Sequence, residues 1–151
     1  MTAPLQPSAC PLCHPQPKDF LWFDRHWYVI RAEEPGFPAF FRVVARPHVA
    51  EFSELPASMQ LHCMQLVATI ERTLRTQLRP TKVNLASLGN VVPHLHWHIV
   101  ARFDWDSHFP APIWAPAQRP VDEARLAAVQ AQMPRVVSAV QTALRLLVDP
   151  A

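Results

Sequence analysis

Histidine and apolar residues alternate strictly in the segment HLHWHIVARF, which runs from residue 94 to residue 103. A period of two is that of a β-strand, in which residues i, i+2 and i+4 lie on one face. The segment therefore predicts a strand with an imidazole face, formed by His94, His96 and His98, and an opposite apolar face that belongs to the core.

The remaining periodic segments predict an α+β fold. Runs rich in β-branched and aromatic residues predict strands at about 27–32, 40–46 and 82–88. Apolar residues at helical spacing predict one helix at about 56–78 and a second at about 121–148, which Pro134 should kink or divide. Strands on both sides of the first helix favour an antiparallel sheet. The apolar stripe of the second helix fits either packing across that sheet or contact with a partner.

Composition excludes several classes of protein. The 151 residues are half apolar and 17% charged, which suits one folded domain rather than a disordered chain. No apolar run reaches the roughly 18 residues of a membrane span, and the first residues lack a signal-peptide core, so we expect a cytoplasmic protein that does not enter membranes. A net charge of +2 gives no bulk electrostatic argument for nucleic-acid binding. Because Gly36 and Gly89 are the only glycines, a glycine-rich phosphate loop is excluded.

Three imidazoles in one row are suited to chemistry at phosphorus. Neighbours on one strand face lie about 6.7 Å apart, and two imidazolium ions at that distance repel by about 2.5 kcal/mol at an effective dielectric constant of about 20. We therefore expect a mixture of neutral rings, which are nucleophiles, and cationic rings, which attract phosphoryl oxygens. The alternatives are a solvated face of an edge strand and a metal site formed by the three histidines.

The stretch HLHWHIV resembles the signature of the histidine triad (HIT) family, His-φ-His-φ-His-φ-φ with φ apolar, at every position. The resemblance covers about residues 10–105 and implies a single HIT-like domain over residues 1–151, with a C-terminal helical extension at about 121–148. The fold it implies is an antiparallel sheet of about five strands with one main helix and an additional C-terminal helix. HIT domains commonly pair their sheets, so a homodimer is also expected.

The resemblance also implies an activity. HIT proteins are nucleotidyl hydrolases and transferases that act at the α-phosphate of purine nucleotides, either phosphoramidates or dinucleoside polyphosphates. By this likeness His96 would attack phosphorus to form a nucleotidyl-histidine intermediate, His98 would contact the phosphate oxygens or the leaving group, and the product would be AMP. The alternatives are a nucleotide-binding regulatory protein with weak turnover and a zinc-binding protein without catalysis.

Substrate contacts are expected around the segment NLASLGNVVPH, which precedes the triad. The family pattern implies roles for Asn84, Gly89 and Asn90, although Asn90 stands where a glutamine is usual. Glu33 and Glu34 are candidates for the ribose hydroxyls, with a solvated turn as the alternative. The first hairpin would supply an apolar purine pocket from four residues, with plain core or dimer surface as the alternative: Trp22, Phe23, Ile30 and Phe41.

Many HIT proteins also hold a structural zinc ion, and the resemblance extends to its ligands. The motif CPLC supplies Cys10 and Cys13, RPH supplies His48, and the first triad histidine is His94. Two thiolates and two imidazoles form the closed tetrahedral site that structural zinc prefers. The alternative of a redox-active CxxC motif lacks the strand before it and the helix after it.

Overall fold

The computed structural model describes residues 7–147 and contains one antiparallel sheet and two long helices. The strands are β1 (Phe20–Phe23), β2 (Trp27–Arg31), β3 (Phe40–Ala45), β4 (Lys82–Ala86) and β5 (His96–Arg102), and the helices are α1 (Ala57–Leu78) and α2 (Glu123–Arg145). The strands lie in the order β1-β2-β3-β5-β4, and each neighbouring pair is antiparallel. The predicted α+β fold, with one main helix and an additional C-terminal helix, is confirmed.

Helix α1 begins and ends where its sequence predicts. Its buried apolar side chains recur every three or four residues, from Leu66 through Ile70 to Leu74, and this spacing places them on the face that meets the sheet. The helix ends at Arg79, which adopts a left-handed conformation with φ of 49° and donates its N–H to the carbonyl of Arg75. Pro80 follows at once and cannot continue the helical hydrogen bonding.

The two faces of the sheet have different partners. On one face, side chains of alternate residues pack beneath the helices, among them Phe41, Val43 and Ile99, which are fully buried. The side chains between them point to the opposite face, where the histidines lie. Because side chains alternate along every strand, the register of β3 and β5 decides both faces together.

The first imidazole of the triad lies outside the strand that was predicted to contain it. Strand β5 begins at His96, because a turn closed by the His94 N–H and the carbonyl of Val92 precedes it. The prediction that the strand starts at residue 94 was therefore wrong, and His94 is oriented independently of the two histidines that follow.

Helix α2 packs against α1 and β1 within the same chain. The helix continues through Pro134 and is not divided there. Its apolar stripe is buried in the core, and Gln141 donates a side-chain hydrogen bond to the carbonyl of Leu21. Packing is therefore the role that the stripe serves. Neither α1 nor α2, the long helices of the described residues, combines the length and apolar character needed to cross a membrane.

Candidate functional site

A cavity of roughly 530 Å³ opens on the face of the sheet away from the helices. It is lined by Arg42 of β3, by His96 and His98 of β5, by Trp114 and by residues 11–12 and 88–92. Its walls therefore combine basic side chains at the base with apolar residues around the entrance. This combination suits a ligand with an anionic part and a flat apolar part.

The orientation of His96 leaves one ring nitrogen available to a ligand. Nδ1 lies 2.6 Å from the backbone carbonyl oxygen of His94, and a carbonyl can only accept, so Nδ1 carries the proton. In the neutral ring the other nitrogen, Nε2, then holds a lone pair. His96 is thus positioned in the tautomer that a nucleophile needs.

His98 lies beside His96 and is enclosed by aromatic rings. The centroids of the two imidazoles are 4.7 Å apart, and the rings of Phe40 and Trp114 lie 5.3 and 5.1 Å from that of His98. Within the described part of the chain, Nδ1 of His98 is buried and has no hydrogen-bond partner. The two imidazoles are closer than the spacing of one strand face suggests, because their rings meet edge to face.

Burial keeps both rings neutral. Desolvation, together with the smaller effects of His96 and Arg42, lowers the pKa of His98 to about 3. The pKa of His96 is also lowered, chiefly by burial, although its hydrogen bond to the carbonyl of His94 opposes this. The expected mixture of neutral and cationic rings near neutral pH was therefore wrong, because burial lowers the pKa of both rings in addition to any repulsion between them.

The imidazole of His94 turns away from the cavity toward Cys10, Cys13 and His48. The potential ligand atoms of these four residues all lie within 4.8 Å of one another. Nδ1 of His94 is 3.3 Å from Sγ of Cys10, 3.4 Å from Sγ of Cys13 and 3.2 Å from Nδ1 of His48. Its Nε2 donates to the carbonyl of Ala45 at 2.6 Å, which leaves Nδ1 as the free ligand atom.

The four-residue cluster fits a tetrahedral metal ion. Bonds of about 2.0–2.3 Å at tetrahedral angles place neighbouring ligand atoms about 3.3–3.8 Å apart, close to the separations observed. Two thiols and two imidazoles form a donor set typical of structural zinc. Burial and the neighbouring Cys10 raise the pKa of Cys13 to about 11, so a bound cation would have to displace the thiol protons.

The residues expected to contact substrate divide into two groups. Gly89 and Asn90 line the cavity, and Gly89 has a φ of 70°, which favours glycine at this turn. Asn84 does not line it, because its side-chain oxygen accepts a hydrogen bond from Arg102. Glu33 and Glu34 are exposed and line a separate groove beside α2.

The first hairpin contributes little to the cavity. Phe41 and Trp22 pack in the core beneath the helices, Phe23 is exposed near the guanidinium of Arg46, and Ile30 does not line the cavity. The alternative reading of these side chains as core therefore holds for Phe41 and Trp22. The apolar rim is formed instead by residues 11–12, residues 88–92 and Trp114.

A buried ion pair positions Trp114. The guanidinium of Arg102 donates to both carboxylate oxygens of Asp106 at 2.8 and 2.9 Å and to the carbonyl of Ala111 at 2.8 Å. Asp106 in turn accepts from the backbone N–H groups of Phe103, His108 and Phe109. These bonds hold the irregular segment that follows β5. Trp114 lies at the end of this segment, where its ring contacts that of His98.

Sequence reasoning missed Arg42 as a site residue. Its signal was a single charged residue inside the apolar run AFFRVVA, where a core position would carry an apolar side chain. Pairing across the sheet places Arg42 directly opposite His98.

Comparison with known proteins decides the family. The model of the HIT domain matches residues 14–105. The chain belongs to the HIT domain family. Among solved structures, it is similar to a histidine triad protein from Bradyrhizobium japonicum, with 26% identity, a TM-score of 0.66 and coverage of 83% of this chain and 90% of the other. A histidine triad protein from Marinobacter aquaeolei VT8 has 27% identity, a TM-score of 0.62 and coverage of 80% and 89%.

A zinc-bound histidine triad family protein from Mycobacterium smegmatis shares the fold. Its identity is 18% and its TM-score 0.56, with coverage of 89% of this chain and 99% of the other. The comparison with curated proteins gave no match. The HIT resemblance of the sequence is thus confirmed.

We predict that Asp106→Asn lowers the free energy of unfolding by about 3–5 kcal/mol at pH 7, since it leaves the buried Arg102 without a countercharge. Burial alone would raise the pKa of Asp106, but hydrogen bonds from Arg102 and from backbone N–H groups hold it below the ordinary aspartate value. Stability from this group is therefore present above the unfolded pKa of about 3.9 and is lost as the pH falls through the lower folded value.

Denaturant unfolding of both proteins between pH 3 and pH 8 measures this difference. It should be constant above about pH 5 and shrink below about pH 4. The matched control is Asp104→Asn, an exposed neighbour, which should change stability by less than about 0.5 kcal/mol. Equal effects of the two substitutions would contradict the assignment of Asp106 as the stabilising partner.

Proposed function

We propose that this HIT protein is a nucleotidyl hydrolase or transferase that acts at the α-phosphate of a purine nucleotide. The observation that carries the proposal is the hydrogen bond from Nδ1 of His96 to the carbonyl of His94, which leaves Nε2 as a lone-pair donor in a cavity lined by basic groups. The family membership agrees with it.

The reaction would proceed in two displacements. Nε2 of His96 attacks the α-phosphorus, a nitrogen–phosphorus bond forms, and the bond to the leaving group breaks with its electron pair going to that group. Water then attacks the same phosphorus, the bond to His96 breaks, and a nucleoside monophosphate is released. Splitting one difficult displacement into two easier ones is the advantage of covalent catalysis.

The remaining cavity residues supply binding. His98, buried beside the nucleophile, is placed to contact the phosphate oxygens or the leaving group. Gly89 and Asn90 would contact the phosphate or ribose from the loop. The exposed apolar side chains at the entrance, Val91 and Trp114, would cover the flat base. Contacts between the ribose and Glu33 or Glu34 receive no support from the cavity, which these residues do not line.

Zinc is the proposed cofactor, held by Cys10, Cys13, His48 and His94. When bound it would supply structural cross-linking between the N-terminal segment and the sheet, not chemistry on the substrate. The cytoplasm is the proposed compartment, because there the two thiols stay reduced and available as ligands.

We predict that His96→Ala lowers the turnover of adenosine 5′-phosphoramidate and of a diadenosine polyphosphate by at least about 1,000-fold, since it removes the nucleophile. AMP release is measured by chromatography. The control is His26→Ala, whose side chain lies outside the cavity and which should retain activity. Undiminished AMP release from His96→Ala would refute the role. Tight binding of AMP by the wild type with no turnover would favour the regulatory alternative.

Metal analysis tests the zinc assignment. We expect about one zinc ion per chain in the wild type and a stoichiometric loss in Cys10→Ser, because a hydroxyl is a poor substitute for a thiolate ligand. The matched control is Cys63→Ala, which removes a buried thiol of α1 that lies outside the cluster and should leave the metal content unchanged. A full complement of zinc in Cys10→Ser would exclude Cys10 as a ligand.

We further propose a homodimer. Strand β4 lies at the edge of the sheet and Leu85 on it is 41% exposed, so a second copy could pair with this edge and cover the side chain. For the wild type, sedimentation equilibrium should give twice the chain mass of 17.2 kDa. Leu85→Lys should shift the measured mass toward that of the monomer. A monomeric wild type at micromolar concentration would contradict the proposal.

A further inference from the structure

Arg42 is a charged residue at the centre of the sheet. It lies in β3 on the face that carries the histidines, and its Cα partner across the antiparallel pair is His98. Opposed residues in such a pair have Cβ atoms about 4.5–5.5 Å apart. The guanidinium therefore shares the cavity with both imidazoles.

Within the described residues, the side chain of Arg42 donates no hydrogen bond, and its Nε is buried without a partner. Its ring contact is with Phe40, whose centroid lies 5.2 Å from the guanidinium carbon. Glu34 is the nearest acidic influence, but it forms no ion pair with Arg42 within 4 Å. Arg102, by contrast, is buried on the same face and has four hydrogen bonds.

The partial burial of Arg42 without a hydrogen-bond acceptor has an energetic cost that a bound ligand would offset. Removing a guanidinium from water without supplying acceptors is costly, and proteins normally pair such groups. The planar fork of arginine matches the oxygens of a phosphoryl group in a bidentate arrangement. The cavity and its unpaired donor together indicate an anionic ligand group at this position.

We propose that Arg42 binds a second phosphoryl group of the substrate, on the leaving-group side, and so makes the site selective for nucleotide polyphosphates over phosphoramidates. This rests on the proposed function. His96 lies opposite Val44, two pairs further along β3, so Arg42 is opposite His98 rather than the nucleophile. A phosphate chain that begins at His96 and continues toward His98 would reach the guanidinium.

The charge balance of the two reactions explains the selectivity. When the α-phosphorus of a polyphosphate is attacked, the bond to the bridging oxygen breaks and its electron pair leaves on the second phosphate, which gains negative charge. Arg42 stabilises that charge. When a phosphoramidate is attacked, the phosphorus–nitrogen bond breaks with its electron pair going to nitrogen, which takes a proton from water and leaves as a neutral amine, so Arg42 contributes little.

The test compares kcat/KM for diadenosine tetraphosphate and adenosine 5′-phosphoramidate in wild type, Arg42→Met and Arg42→Lys. We expect Arg42→Met to lower kcat/KM for the tetraphosphate by about 10–150-fold, the range for loss of a charge-assisted hydrogen bond, and that for the phosphoramidate by less than about 3-fold. Arg42→Lys should recover part of the loss, since it restores the charge without the fork. The control is Arg46→Met, an exposed arginine just after β3 that does not line the cavity.

An equal loss on both substrates would overturn the proposal and place Arg42 on the attacked phosphate. Unchanged kinetics in Arg42→Met would overturn it as well. Calorimetric binding of ADP and AMP supplies a readout that needs no turnover: wild type should prefer ADP, and Arg42→Met should lose that preference. Equal affinity of the wild type for ADP and AMP would overturn the proposal even if turnover is observed. Absent turnover with a preserved ADP preference would refute the proposed hydrolysis and leave the second phosphate site standing.

Discussion

The site depends on the pairing of β3 with β5. The register that sets His96 opposite Val44 also sets Trp97 opposite Val43, on the face that packs beneath the helices. A slip of one residue would turn the imidazoles into hydrocarbon and the apolar side chains into the cavity. Burial of the apolar face therefore holds the strand that carries His96 and His98 in place.

The site also depends on His94, which lies just before β5 and on neither of its faces. Its ring joins the cysteine cluster, its Nε2 donates to the carbonyl of Ala45, and its own carbonyl accepts the proton of His96 Nδ1. One residue thus connects the proposed metal site to the tautomer of the proposed nucleophile. The first histidine of the motif therefore helps to orient the second.

Much of this arrangement could be predicted from local patterns. Period-two and helical spacing predicted four of the five strands and both helices to within a few residues, because those signals depend on which side chains are buried. The cluster of Cys10, Cys13, His48 and His94 was also predicted, since the family motif supplies its spacing. The first strand, Phe20–Phe23, was missed as a separate element because an aspartate turn divides one continuous aromatic run. The position of Arg42 opposite His98 and the separation of Glu33 from the cavity depend on strand pairing and loop paths, which no local pattern encodes.

The neutrality of the histidines changes where positive charge must come from. The sequence suggested that one imidazole would be cationic beside a neutral nucleophile, but burial lowers the pKa of both rings. A phosphoryl group still requires a cation in the cavity, and Arg42 is the guanidinium that lines it. Arginine keeps its proton at all physiological pH values. In the proposed enzyme, nucleophilic attack and charge stabilisation are therefore carried out by two different kinds of residue. Imidazole supplies the lone pair and guanidinium supplies the charge, so the second ring beside the nucleophile does not have to be protonated.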